Sequence, residues 1–252
     1  MLQSYLDEVR DLLRDANGQF YSTAQLTRYI NKARYQTCMM TGCIRILAAG
    51  GSPAETNATV GSIVTGAMIP GAVGTPQSGS IFNTIVGQEK YPFLYANPLV
   101  QQQNAGVKGV IDVMSVSISW GSSRPSLDWL PWEDLQAYCR SWNVGTQSYP
   151  SVFSVNGSGE HGEVWIYPLP GQSLEMEWLC ACAPIDLWTD SDPEGIPDPY
   201  RGAVKWYATK LAYEASQRWG AASEMNRQFE QQCVLAGCAS DRGKISSFYQ
   251  GY

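Results

Sequence analysis

Few residues in this chain have the types and spacing that could do chemistry, and their neighbours narrow what that chemistry would be. Gly157-Ser-Gly-Glu-His-Gly162 matches the GxGxxG spacing that lets a backbone approach a pyrophosphate. Such a site needs a helix directly afterwards, whose free N-terminal amides hold the phosphates. Glu163-Val-Trp-Ile-Tyr167 follows instead and reads as a strand, so the glycines fit a hairpin turn. Asp190-Ser-Asp192-Pro-Glu194-Gly195 mimics the opening of a calcium loop, but the position that should supply a bidentate Glu is Arg201. Pro193 also stiffens the segment, which reads better as a solvated acidic loop.

His161 is the single histidine, and a Ser-His-Asp or Cys-His arrangement would have to use it. It sits among glycines at a hairpin tip, where neither burial nor rigid positioning is expected. GxSxG, HExxH, CxxC and Walker-type glycine motifs are absent from the sequence. Carboxylate pairs can hydrolyse glycosides without histidine, yet no pair stands out among the 23 acidic residues. No catalytic, cofactor-binding or metal-ligating residue is therefore assigned, no cofactor is expected, and the protein is read as a non-enzyme.

The seven cysteines are Cys38, Cys43, Cys139, Cys180, Cys182, Cys233 and Cys238. On continuous helices the Cys38/Cys43 and Cys233/Cys238 pairs would lie about 140° apart, so neither pair shares a face. Reduced, mostly buried thiols are the expectation, in preference to a disulfide framework or a zinc site. Nine tryptophans remain. Trp120, Trp129, Trp132, Trp142, Trp165, Trp178 and Trp188 fall in the strand-rich middle, where core and subunit-interface packing explains them better than a sugar-stacking platform.

The elements that must position these residues follow from periodicity. Leu2, Tyr5, Leu6, Val9, Leu12 and Leu13 keep helical spacing, and Asn17-Gly18 supplies an end signal. Ser22-Thr23-Ala24-Gln25 reads as a capping box for a second helix. That helix carries Leu26, Ile30, Ala33 and Thr37 inward, with Arg28, Lys32, Arg34 and Gln36 as polar surface, and ends near Gly42 to Arg45. From Ala48 to Asn83 the only ionisable side chain is Glu55, while Gly, Ala, Ser, Thr and Pro dominate. Such a stretch cannot fold alone, yet Val60, Ile63, Val64, Met68 and Ile69 are too apolar for a spacer. They suit an extended arm or hairpin ordered against a neighbouring subunit.

Short strands follow. Met114, Val116, Ile118 and Trp120 alternate with serines, Ser151–Val155 and Glu163–Leu169 suggest a hairpin, and Gln172–Cys182 a further strand. A short helix is expected after Pro131. Pro197-Asp198-Pro199 starts another helix with Asp at the N-cap. Its stripe is Ala203, Val204, Tyr207, Ala208, Leu211, Ala212 and Ala215, and Gly220 should break it before a last helix with Met225, Phe229, Cys233 and Ala236. The sequence finishes with the aromatics Phe248, Tyr249 and Tyr252.

The fold class expected is α+β. N- and C-terminal helical pairs form a bundle, with a central antiparallel β-module and a long Gly/Ala/Ser/Thr-rich arm or hairpin. The segments are 1–47 and 197–239 for the helical pairs, 48–83 for the arm, 84–196 for the β-module and 240–252 for a docking tail. With 252 residues, 44% hydrophobic, the chain has material for a core. A net charge of −6 and a pI near 4.8 oppose a nucleic-acid-binding surface, which needs a basic stripe. There is no apolar run long enough to span a bilayer, so no membrane partner is expected, and the protein reads as soluble and made in a cytoplasm.

An ordered series of segments is similar to a known family. VRDLLRD in the opening helix, YSTAQLTRYINKARYQTCMMTGCIR, the TIVGQEKYPF turn, LDWLPWEDLQAY, GEVWIYPLP and IPDPYRGAVKWYATKLAYEA resemble, in that order, head–tail adaptor proteins of tailed bacteriophages. Residues 1–46 and 84–220 carry the resemblance. Lys90-Tyr91-Pro92-Phe93 departs from the Tyr-x-Leu-Pro type of turn common in that family, and the segment from Ala48 to Asn83 is longer and blander. The resemblance implies a structural virion protein in the neck, a homo-oligomeric ring commonly of twelve copies, joining the portal protein to a tail or nozzle protein. Genomic DNA would pass non-specifically through its bore. It also implies that the C-terminal segment, here carrying Phe248, Tyr249 and Tyr252, docks on the portal. The alternatives are a carbohydrate-binding tail module and a carboxylate-dependent cell-wall hydrolase.

Overall fold

Leu2, Tyr5, Leu6 and Val9 are buried along one stripe of the first helix, α1 (Leu2–Leu13), as their spacing requires. The computed structural model describes residues 1–15, 18–49, 82–120, 123–138 and 147–241. The proposed arm residues Val60, Ile63, Val64, Met68 and Ile69, and the tail residues Phe248, Tyr249 and Tyr252, lie outside the described residues. Among the described residues the chain is α+β, with six α-helices and seven strands.

α1 ends earlier than the Asn17-Gly18 signal suggests. Arg14 takes the left-handed cap at φ 55°, and the Asp15 amide closes the turn on the Arg10 carbonyl at 3.0 Å. The reason lies one residue on. The Asp15 carboxylate accepts from the amides of Gln19, Phe20 and Tyr21 at 2.8, 3.1 and 3.0 Å, so one buried side chain organises the loop.

α2 (Thr23–Thr41) starts at Ser22, whose hydroxyl accepts from the Gln25 amide at 3.3 Å. Only half of the expected capping box forms by side chains, because Gln25 donates onward to the Tyr29 hydroxyl at 2.9 Å. Gly42 caps the helix at φ 53°. Leu26, Ile30, Ala33 and Thr37 are buried as expected. Arg34 is not surface: it is fully buried, because a carboxylate waits for it there.

The two helices at the far end are α5 (Asp198–Ala215) and α6 (Trp219–Asp241). Asp198 is the first helical residue rather than the cap; Pro197 holds the cap position in an extended conformation, and Asp198 pairs with Arg201 at 2.5 Å. The break between the helices falls at Gln217, with φ 59°, and Gly220 lies inside α6. α5 packs on α1, α2 and α6; its buried residues are Tyr200, Ala203, Val204, Ala208, Thr209 and Ala212, mostly small. Such small side chains let helices approach closely. The Tyr207 and Phe229 rings meet at 4.9 Å between α5 and α6. Lys205 pairs with Glu8 at 3.1 Å, and the Tyr21 hydroxyl donates to the Ala212 carbonyl at 3.1 Å. The described residues within 1–44, 105–107 and 183–241 make one compact unit that holds these helices.

The second unit, made of the described residues within 45–104 and 108–182, holds most of the strands. The strands are β1 (Arg45–Ala49), β2 (Lys90–Pro92), β3 (Val107–Ile118), β4 (Asp128–Trp129), β5 (Val152–Asn156), β6 (Glu163–Tyr167) and β7 (Met176–Pro184). They form two sheets, not one, in the orders β1-β7-β3 and β2-β6-β5-β4. β5 and β6 are the expected hairpin, pairing Val152 with Tyr167 and Asn156 with Glu163. The expectation of a purely antiparallel module fails at β4, which runs parallel to β5 because a connection carrying the short helix α4 (Trp132–Tyr138) joins them. A further short helix, α3 (Asn97–Gln103), precedes β3.

β3 keeps its alternation in two phases. Val113 is buried, Met114 is exposed and Ser115 half-buried, and burial resumes at Val116 and Ile118. The slip places Met114 outward, against the single phase read from the sequence, and Trp120, beyond the end of the strand, is exposed as well. The core of this unit forms around Trp178, fully buried, with Phe82 edge-on at 4.7 Å and Phe93 at 6.5 Å. No helix among the described residues is long and apolar enough to cross a membrane.

Candidate functional site

The residues that could suggest chemistry are occupied with building local structure. In the glycine-rich turn between β5 and β6, Gly157 and Gly159 take φ 78° and 60°. Gly162 has an ordinary backbone, but a Cβ there would run into the ring of buried Phe93, and its carbonyl accepts from the Phe93 amide at 2.9 Å. The third glycine of the spacing is therefore a packing residue, and a strand follows it as expected. His161 is exposed in the short 3₁₀ turn Gly159–His161.

In the acidic segment before α5, Asp190 stays exposed and Asp192 half-buried, while the Glu194 side chain is buried. Asp192 Oδ2 accepts from the Trp188 and Thr189 amides, both at 2.7 Å, and its Oδ1 from the Thr189 hydroxyl at 2.8 Å. These donors hold the Asp192 carboxyl below its usual range. Asp190 accepts from the Gln3 amide at 3.1 Å and from the terminal ammonium of Met1. Glu194 Oε1 accepts from Arg34 Nη2 at 2.7 Å and from the Ile196 amide at 2.9 Å. These carboxylates act as internal acceptors. Among the described residues no group of three or more His, Cys, Asp or Glu side chains could hold a metal ion.

Arg34 is the centre of a buried polar cluster. Its guanidinium also donates to the Ile185 carbonyl, and Asn31 bridges to Leu187, accepting from its amide at 2.9 Å and donating to its carbonyl at 3.0 Å. Burial, then the nearby Glu194 charge, pushes the Tyr5 hydroxyl well above its ordinary value. The cluster staples α2 to the segment leading into α5. Sequence reading missed it because Arg34 looks like one more charge on a polar helix face; Glu194, its partner, is 160 residues away.

Large side chains left in solvent are the other notable feature. In the helical unit Phe20 is 80% exposed at the tip of the Asp15 loop, and Met40, Trp219, Val234 and Leu235 are also exposed. In the strand unit Trp129 is exposed, and Trp120, itself exposed, stacks on Tyr149 at 3.8 Å with the rings nearly parallel. The tryptophans thus divide: Trp178 and Trp165 are core, with Trp165 against Trp132 at 4.4 Å and under Lys90 at 4.1 Å, while Trp120, Trp129 and Trp188 face out. Such side chains suit contact with other proteins more than catalysis. Trp142 lies outside the described residues.

A family model described as SU10 adaptor protein matches residues 2–234, nearly the whole chain. The chain belongs to the SU10 adaptor protein family. It is a phage adaptor, a structural protein, as the ordered series of segments from VRDLLRD to the α5 sequence suggests. No curated protein matches the chain. The match spans both compact units of the adaptor, so neither the helices nor the sheets are an addition to an unrelated domain.

Proposed function

We propose that this adaptor joins the portal to the tail in the phage neck, as a ring of identical subunits, twelve by analogy with such adaptors, whose bore continues the DNA channel. The family match over residues 2–234 is the observation that carries the reading. The packing of α5 on α1, α2 and α6 supports a role for the terminal helices as one bundle that defines the subunit. In this reading the segments 1–47, 48–83, 84–196, 197–239 and 240–252 act as helical pair, arm, β-module, helical pair and docking tail.

Assembly works by ordering. Val60, Ile63, Val64, Met68 and Ile69 gain burial on a neighbouring subunit, and Phe248, Tyr249 and Tyr252 on the portal, offsetting the conformational entropy lost by those segments. The net charge of −6 supports passage of DNA, since few phosphate contacts would form to hold it. No step requires catalysis.

The tail assignment is tested by replacing Phe248, Tyr249 and Tyr252 together with alanine in the full-length chain. Portal affinity should fall at least about tenfold, equivalent to about 1.4 kcal/mol, while circular dichroism stays unchanged. Unchanged affinity in a folded triple variant rules the tail out as the docking element. The exposed Trp120 and Trp129 leave a carbohydrate-binding tail module as the second reading. It requires quenching or protection of those tryptophans by bacterial surface glycans, and glycan silence removes it.

A further inference from the structure

We propose that Cys38 and Cys43 form a dithiol site that closes to an intramolecular disulfide by exchange with a small-molecule disulfide such as oxidised glutathione. Their sulfurs lie 3.6 Å apart. On a continuous helix this spacing would hold them about 140° apart around the axis. The difference is made by Gly42. α2 stops at Thr41, Gly42 turns into the left-handed region at φ 53° and ψ 37°, and its amide returns to the Cys38 carbonyl at 2.8 Å. That reversal carries Cys43 back over the last turn of the helix. A left-handed residue here is cheap only for glycine.

A disulfide bond needs about 2.05 Å, so the two sulfurs must close by roughly 1.6 Å, within reach of side-chain rotation. The pair is also asymmetric in a useful way. Cys38 is 2% exposed, whereas Cys43 is half-buried and reachable. The hydrogen bond between the two thiols, with Thr41 adding to it, lowers the accessible Cys43 against the opposing effect of burial, and the same contact together with burial pushes Cys38 up. Cys43 is thus the thiolate that attacks and Cys38 the thiol that resolves. Elsewhere among the described residues, burial pushes Cys180 and Cys182 up, and each sulfur donates to a carbonyl two residues back. Cys233 is buried and Cys238 is exposed.

The chemistry balances without a further reactant. The Cys43 thiolate attacks one sulfur of glutathione disulfide, breaking its S–S bond. One glutathione leaves as a thiolate and takes up the proton that Cys43 lost. Cys38 then attacks Cys43 Sγ in the mixed disulfide, the protein S–S bond forms, and the second glutathione leaves with the Cys38 proton. Two protein thiols and one glutathione disulfide become one protein disulfide and two glutathiones. A thiol-specific oxidant also spares the exposed Met39 and Met40, which peroxide would attack.

The proposal is independent of the adaptor reading. It is tested on the full-length chain by incubation with excess oxidised glutathione, alkylation under denaturing conditions, tryptic digestion and mass spectrometry. Both cysteines fall in one peptide, Tyr35–Arg45, which contains no other cysteine. The expected result is that this peptide becomes two hydrogens lighter and takes up no alkyl group until reduced. Cys38→Ser should trap one glutathione on Cys43. A wild-type peptide with two alkylated thiols, a persistent glutathione adduct at Cys43, or a crosslink to another cysteine would overturn the proposal. The wild-type result decides alone if the variant does not fold.

Discussion

Arg34 of α2 donates through Nη2 to the Glu194 carboxylate at 2.7 Å, and the two side chains are 0% and 3% exposed. A charge so deeply placed cannot be left alone, because desolvation costs far more than a surface ion pair returns. Glu194 is further tied to the Ile196 amide, and Arg34 to the Ile185 carbonyl, so the pair fixes the chain entering α5 against α2.

Removing one partner should therefore be severe. Arg34→Met and Glu194→Gln are each expected to lower stability by about 3–5 kcal/mol, as urea unfolding would report. The Arg34→Met/Glu194→Gln double variant should lose much less than the sum of single losses. Additive losses would show that the two side chains act separately.

Asp15 gives a pH signature. Burial would raise its carboxyl, but the amides of Tyr21, Gln19 and Phe20 together hold it below the ordinary aspartate value. A lowered folded value contributes stability above the unfolded value of about 3.9, and this is lost as the pH falls from there through the folded value. Asp15→Asn should be less stable than the wild type at pH 7, with the gap narrowing below about pH 4. Urea midpoints across that range check it; a gap independent of pH contradicts it.

Gly162 tests the packing account of the glycine-rich turn. Its φ of −72° is open to any residue, so the cost of Gly162→Ala comes from the Phe93 ring alone. A loss of about 1–3 kcal/mol is expected, partly recovered by adding Phe93→Leu. Thermal unfolding of the two variants decides it, and a neutral Gly162→Ala would remove the argument.

The helices were legible because their signals are local. Leu26, Ile30 and Ala33 lie on one stripe, Ser22 and Gly42 cap α2, and the small-residue face of α5 is plain in its alanines. The hairpin of β5 and β6 was legible for the same reason. What escaped depends on distance or on one backbone angle. The depth of Arg34 is set by Glu194 far along the chain, and the meeting of Cys38 with Cys43 by the left-handed turn at Gly42. The early end of α1 follows from three amides waiting for Asp15, and the two-phase burial of β3 from a slip at Met114 and Ser115. The acidic loop is largely solvated, as its composition suggests, but Asp192 caps its own backbone and Glu194 is buried against Arg34. The outward Phe20 had no local signal at all.

The central claim is that this adaptor works as a ring on the portal. Native mass spectrometry of the full-length chain, alone and mixed with the purified portal of the same phage, tests it most directly. The account predicts a discrete multimer of the adaptor, twelve copies by analogy, bound to the portal assembly. A chain that stays monomeric and unbound at every concentration, with and without portal, would contradict it.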